Sequence, residues 1–450
     1  MSYKEPAVYL YQKNNAAYTT GVTPSLIPVI IGGGASQFKK TEAIKRGSAA
    51  YDILPSTAVA SIATVGDTEG ALDYVAITDF TFTPGSNRIT WVTGKKHPDL
   101  GDVFYVTYNA NAEPDQFEAR LCSSYENDVL PFYGPEFKAE DSTICPVSLG
   151  AKIALESGAK LIYVVQVDIA GEDVASTDYD TACETILQFL PQAYRIVPMD
   201  LSAGINSSVL NHVELMSNPE EKMERKAIFG CANSAADFTT VQSSVGAYAA
   251  SLANSRIVVP YPDVATKLLS DGKVYELSAP YICAAIAGLK ATLPVEQALT
   301  KSTLNNFLEL KGVKMLRAQK NLLAANGVMI LEQSGGVGTP IEIRHGLTTD
   351  MSSVQTREDS IVEIGDYCAK YIRDGLKGYI GKYNITPEVV VRIRASIDSL
   401  IRVLRTEGII IGGSVTTLYQ DTNNPDSLIC EITIDPPYPC NYINITLFLE

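Results

Sequence analysis

The sequence predicts an α+β protein of several units. A central α/β unit carries an inserted antiparallel β module and is followed by a C-terminal α+β unit, with a strand-like segment at each end of the chain. Three observations carry this prediction. Between residues 116 and 345, helical patterns alternate with short apolar β-rich runs, the mark of a parallel sheet. Residues 51–115 show alternating strands around Pro84-Gly85-Ser86-Asn87. After residue 346, two amphipathic helices precede strand patterns. A chain of 450 residues has room for such units, and 46% hydrophobic with 19% charged residues suits packed cores better than disorder.

Residues 1–28 are rich in Tyr, Asn, Thr and Pro, with no helical period. Val8 and Leu10 alternate with Tyr9 and Tyr11, which reads as an extended arm whose strand must pair on another sheet. Ile27–Ile31 is a buried strand stopped by Gly32-Gly33-Gly34. In the inserted module, Tyr74–Phe82, Arg88–Val92 and Asp102–Tyr108 alternate as strands. The α/β part then runs helix Ala151–Gly158, strand Lys160–Val167, helix Thr181–Phe189 and strand Ala193–Pro198. Helix Val209–Ser217, strand Lys226–Gly230, helix Thr240–Asn254 and strand Arg256–Pro260 continue it. Pro280–Leu293 is an Ala-rich helix built for close packing and bounded by Pro294.

Beyond 346, Asp359 or Ser360 is placed to cap a helix whose stripe is Ile361, Ile364, Cys368, Tyr371, Ile372 and Leu376. Thr386-Pro387 caps a second helix through Val390, Ile393, Ile397, Leu400, Ile401 and Leu404 that stops at Gly408. Strands follow at Ser414–Gln420, at Leu428, Cys430, Ile432 and Ile434, and at Ile443, Ile445, Leu447 and Leu449. The last is read as a second, donated arm. The boundaries are therefore an arm over 1–28, a central unit over 29–50 and 116–345, a module over 51–115, a C-terminal unit over 346–435 and a terminal strand over 436–450.

The net charge of −15 argues against nucleic acid as the main partner, because phosphate binding needs a surplus of Lys and Arg. The charge is uneven. Residues 1–50 hold six basic and two acidic side chains, or +4, which leaves −19 for the rest, and residues 51–115 alone carry −6. A basic leader docking on an acidic neighbouring copy is one reading of this split. The apolar runs Ile282–Leu289 and Leu161–Val167 fall far short of the ~18 residues of a membrane span, and the N-terminus shows no secretory pattern. The eight cysteines include no C-x-x-C pair. They read as buried or neutral thiols, with Cys430 and Cys440 the best-placed couple for a disulfide.

The glycine clusters at 32–34 and 335–338 match neither a P-loop nor a dinucleotide fingerprint and read as turns. His97, His212 and His345 lie in three regions without metal-pair spacing, and no G-x-S-x-G elbow occurs. No enzyme, cofactor or metal is expected. Arg392, Arg394, Arg402 and Arg405 stud the second C-terminal helix, and Lys370, Arg373 and Lys377 the first. Both sets read as solvated faces or as docking faces for an acidic partner.

The run Arg357 to Asn384 (REDSIVEIGDYCAKYIRDGLKGYIGKYN), then VRIRASIDSLIRVLRTEGII to residue 410, then DTNNPDSLICEITIDPPYPCNYINITLFL to residue 449, resembles the C-terminal domain of contractile tail sheath proteins of phages, R-type bacteriocins and related injection machines. The resemblance lies in the helix ending at Tyr379-Ile380-Gly381 and Asn384, and in the helix closing on Gly408-Ile409-Ile410. It extends to the Pro425-Asp426 turn and to the N-x-I-x-I-x-L strand. Upstream, Ser255–Pro260 and Pro280–Gly288 look like the family's central domain.

The resemblance implies a self-assembling structural subunit in sixfold rings stacked around an inner tail tube, with baseplate and tail terminator proteins as further partners. Its arms, here Val8 to Tyr11 and Ile443, Ile445, Leu447 and Leu449, would add strands to the C-terminal domains of neighbours. That domain would face the tube, with Lys370, Arg373 and Lys377 as candidate contacts, while the inserted domain faces outward. Contraction would drive the tube through a cell envelope. The particle would be a virion assembled in the host cytoplasm, without nucleic-acid contact or membrane insertion by this chain. The family's central domain is subtilisin-like in fold, but no triad is recognisable here. One chain carrying both body and arms favours a phage or bacteriocin over a two-chain secretion sheath. The alternatives are another self-assembling shell protein or an α/β hydrolase-like enzyme.

Overall fold

The structure is a computed structural model that describes residues 26–111, 117–138, 141–169, 173–231 and 237–448. Strand β1 (Ile27–Gly32) is buried along its whole length, as an unbroken apolar run requires of a strand covered on both faces. From its carboxyl end the chain builds β2 (Gln37–Lys45), β3 (Tyr51–Ile53), β4 (Val59–Gly66), β5 (Phe80–Phe82), β6 (Arg88–Trp91) and β7 (Val103–Asn111). It then returns through β8 (Arg120–Cys122), antiparallel to β9 (Ile162–Gln166). Next come β10 (Ala193–Pro198), β11 (Lys226–Ile228), β12 (Ile257–Tyr261), β13 (Val264–Leu268), β14 (Val274–Ser278), β15 (Thr303–Leu304), β16 (Glu309–Lys311), β17 (Val328–Glu332) and β18 (Ile341–Ile343). The central sheet has nine strands in the order β15-β18-β17-β12-β11-β10-β1-β9-β8. Its six middle strands are parallel, and antiparallel pairs close both edges.

Period-two alternation sends Ile30, Val164, Val197 and Val258 to one face, against helices α1 (Pro146–Glu156) and, further along the chain, Ala279–Lys290. Val29, Ile31, Val165, Ile196 and Val259 go to the other face, against α2 (Ser176–Thr185) and α3 (Ala203–Met216). The helix Ala279–Lys290, α4, is buried nearly all round. Its Gly288 lies so close to α1 that an added Cβ would stand 2.2 Å from the Ala154 carbonyl oxygen. α5 (Arg317–Ala325) puts Leu323 into the second face.

The inserted module is two three-stranded antiparallel sheets, β2-β7-β4 and β3-β6-β5. Trp91 is its centre, edge-on to Tyr74, Phe80 and Phe104, and its Nε1 donates to Asp52 at 2.7 Å. Two corrections to the sequence reading arise here. Gln37–Lys45, assigned to the central unit, pairs along its entire length with β7 and so belongs to the module. With it go Lys39, Lys40, Lys45 and Arg46, which the charge count had credited to a basic leader. Arg46 is spent on Asp52 at 3.3 Å. The long strand expected over Tyr74–Phe82 shrinks to Phe80–Phe82, because Ile77 adopts a φ of +70° that no strand accommodates.

The C-terminal unit consists of α6 (Asp359–Leu376), α7 (Pro387–Thr406), β19 (Gly412–Gln420) and β20 (Leu428–Asp435). The Thr386 Oγ1 accepts from the Val389 N–H at 3.3 Å and opens α7, and Gly408 closes it at a φ of +81°. Ile364, Cys368 and Ile372 of α6 pack on Ile397, Ile401 and Leu404 of α7 and on Val415 and Ile432 of the β19–β20 hairpin. Neither Asp359 nor Ser360 caps α6; Glu358 holds the cap position without a side-chain bond. Residues 436–448 form no regular element, and Ile443, Ile445 and Leu447 are exposed. Cys430 and Cys440 form no disulfide.

The two appended parts sit at opposite ends of the parallel sheet. The module leaves from the carboxyl end of β1. α6 packs on Arg195, Lys226 and Arg256, at the amino ends of β10, β11 and β12.

Candidate assembly site

The junction between α6 and the sheet is a buried ionic seam. Asp359, Glu363 and Asp366 recur at helical spacing and face a cation at the start of each of three adjacent strands. Arg195 Nη2 lies 3.2 Å from Asp359 Oδ2 and 2.6 Å from Glu363 Oε2. Lys226 pairs with Asp359. Arg256 forks onto Asp366 at 2.7 and 2.9 Å, and the Tyr194 hydroxyl donates to the same carboxylate at 2.8 Å. Lys290 of α4 stands 3.4 Å from Glu363. Burial alone would raise the Asp359 carboxyl, but the Arg195 and Lys226 charges overcome it and hold the group well below the usual carboxylate range.

This seam decides the fate of the basic face expected on α6. Arg373 does not face outward: it turns inward to pair with Glu224, and its Nη1 donates to the Lys222 carbonyl at 2.8 Å. Lys370 is also turned in. Its Nζ is buried without a hydrogen-bond partner, 5.5 Å from the Tyr194 ring centre, and burial pushes its pKa down to about 8 despite Glu224 and Asp366 nearby. Only Lys377 of the three is exposed, paired with Asp374 at 2.5 Å. The exposed basic face lies instead on α7, where Arg392, Arg402 and Arg405 reach solvent beside the exposed Val391 and Val403. Sequence reasoning missed the seam. Its signal was an acid triplet in register on α6, matched by one basic residue at or near the start of each of three strands.

Of the proposed strand-exchange residues, Val8, Tyr9, Leu10, Tyr11 and Leu449 lie outside the described residues. Ile443, Ile445 and Leu447 have relative exposures of 77%, 85% and 79%, so three alternate apolar side chains are left uncovered by their own chain. The base of this arm is fixed on the body. Gln355 Nε2 donates to the Tyr438 hydroxyl at 3.1 Å, and Asn441 Nδ2 lies 3.1 Å from His345 Nε2 and 3.2 Å from Glu358 Oε1. The Tyr442 ring stands edge-on to His345.

The features searched for catalysis are packed structure. Gly33 N–H donates to Asp200 at 2.6 Å, and a Cβ on Gly34 would meet Gln166 Oε1 at 2.2 Å, so the glycine turn is filled by side chains. His212 is buried against Arg225, and burial, then the Arg225 charge, lowers its pKa to about 3. Among the described residues, no group of His, Cys, Asp and Glu is arranged to hold a metal ion, and no helix is long and apolar enough to cross a membrane.

Comparison with known proteins agrees with the geometry. Residues 352–450 match the family model of the phage tail sheath C-terminal domain. The tail sheath protein of Mycobacterium phage Bxz1 is 28% identical over 354 residues, covering 77% of this chain and 58% of that protein, so the match spans less than two thirds of the relative. The fold matches, at a TM-score of 0.61 and 11% identity, a chain in the contracted helical sheath of the anti-feeding prophage, with both chains covered completely. A chain of the sixfold-symmetrised baseplate of the same particle matches at 0.59, again with complete coverage and 11% identity. The resemblance read from the sequence is thereby shown, over residues 352–450 as a match to the phage tail sheath C-terminal domain and over the whole chain as a fold shared with the sheath chain.

Proposed function

We propose that this protein is the repeating subunit of a contractile sheath, stacked as sixfold rings around an inner tube and anchored on a baseplate. The observation that carries the reading is the exposed alternate run Ile443, Ile445 and Leu447, which leaves the body at a fixed point and has no partner strand among the described residues. An unpaired apolar strand of this kind is completed by addition to another sheet. The two-stranded β19–β20 sheet of a neighbouring copy has open edges to receive it. Residues 8–11 supply the second donated strand in the same reading.

The ends of the parallel sheet fit an inner and an outer side. The C-terminal unit with its α7 arginines and Lys377 faces an acidic tube, and the inserted module faces outward. Lys370 and Arg373 are committed within the chain and take no part in tube contact. Contraction repacks the bodies while the exchanged strands hold, and drives the tube through a cell envelope. The free energy comes from contacts between subunits, with no nucleotide required. Tube, baseplate and terminator proteins are the partners in a virion assembled in the host cytoplasm.

The test is deletion of residues 436–450 or of 1–20 in the full device. Each truncated chain is expected to stay folded and to form no tubes by negative-stain microscopy. Normal sheaths from either truncation overturn the assignment of that arm.

A further inference from the structure

We infer that the cleft beside the base of the C-terminal arm is a binding site for a small phosphate monoester with an apolar body. The cleft has a volume of about 400 Å³, within the range of small-ligand sites. Arg317, Arg344, His345 and Arg357 line it from three separate segments, and Glu358, outside the lining, pairs with His345 at 2.9 Å and with Arg357 at 3.5 Å. Arg317 opens α5 and has no carboxylate partner among the described residues. Arg344 Nη1 is withdrawn from water with no acceptor, while the Nε of the same guanidinium is 3.6 Å from Glu332. Asn441 Oδ1, on the opposite wall, is likewise buried without a partner.

A buried guanidinium nitrogen and a buried amide oxygen left without partners are a standing cost in a folded protein. A phosphate monoester supplies the acceptor that the Arg344 nitrogen lacks: its oxygens, dianionic near neutral pH, accept from the arginine forks, whose planar geometry fits oxyanions. The floor beneath the arginines is apolar, formed by Val328, Ile330 and Leu347, all buried. A bare anion would leave that floor wet, so the ligand carries an apolar group. Because Asn441 and Tyr442 form one wall, an occupied site also holds the base of the arm in place. This site stands independently of the assembly role proposed above.

The experiment is titration of the full-length chain by calorimetry with phenyl phosphate, inorganic phosphate and phenol. Phenyl phosphate is expected to bind saturably, at least about threefold more tightly than inorganic phosphate, with no binding of phenol. Arg344→Gln and Arg317→Gln are each expected to weaken it about tenfold, and Lys377→Gln to leave it unchanged. Arg317 is on the surface, so its variant reports even if the Arg344 variant misfolds. Absence of saturable binding, binding untouched by both arginine variants, or equal binding of phenol overturns the site. Equal binding of inorganic phosphate overturns the apolar part of the ligand.

Discussion

At the scale of single residues, the ionic seam makes two predictions with opposite signs. Asp366 is fully buried and receives Arg256 and the Tyr194 hydroxyl, so Asp366→Ala removes the counter-charge of Arg256 and the acceptor of the phenol. The expected loss is about 3–5 kcal/mol, read as a fall in the denaturant midpoint. The double variant Arg256→Met, Asp366→Leu is expected to recover most of it, since a buried pair is worth little more than apolar packing of the same volume. Lys370 is the reverse case. Its folded pKa of about 8 lies below the unfolded value of ~10.4, so keeping the charge in the folded state costs stability below pH 8. The cost falls away between pH 8 and the unfolded value. Lys370→Met is therefore expected to raise the unfolding free energy at pH 7, by a few kcal/mol at most in urea unfolding, with the gap to wild type closing as the pH approaches 10.5. A constant gap across that range sinks the assignment. Asp359 gives the acid limb. Its carboxyl is depressed in the folded state, so its contribution is complete above the unfolded value of ~3.9 and is lost as the pH falls further.

At the scale of elements, legibility followed what each element packs against. α6, α7 and β20 were readable because one stripe meets a continuous core, so their apolar period survives in the sequence. β2 was assigned to the wrong unit because pairing partners separated by sixty-odd residues leave no local signal; its pattern is equally that of any half-buried strand. The Lys370–Arg373–Lys377 face failed for a related reason. A basic stripe reads as solvent-facing unless its buried acid partners are known, and Glu224 is 149 residues away in sequence from Arg373. The α1–α4 contact shows the same tertiary override in energetic form. Helix propensity alone favours Ala over Gly by up to ~1 kcal/mol. Yet a Cβ at 288 would stand 2.2 Å from a backbone oxygen and force the helices apart. Gly288→Ala is expected to destabilise by about 1–3 kcal/mol, measured by urea unfolding. A stabilised variant would mean that α4 can slide on α1, against the close packing described.

At the scale of the whole molecule, the opposite placement of the module and the C-terminal unit makes the two separable. The module carries its own core around Trp91 and leaves the body through two adjacent strands, β2 and β7, so removing it opens no side of the central sheet. Lys39 pairs directly with Asn109, which means an Asn-Gly turn can replace residues 40–108 and keep the register. The shortened chain retains Phe38, which packs into the central core and not into the module. It is expected to unfold in a single cooperative transition, to keep the seam between α6 and the sheet, and to form tubes as proposed for the full chain. The outward placement proposed for the module makes the last expectation sharp. Tubes of normal diameter with a thinner outer wall by electron microscopy are the predicted result. A folded chain that no longer polymerises would show that the module makes subunit contacts, and would move it from the periphery into the lattice. The charge noted at the outset bears on the same test, although residues 40–108, with six basic and eight acidic side chains, hold only −2 of the −15. If that charge only faces solvent, the salt dependence of assembly is expected to be unchanged by its removal.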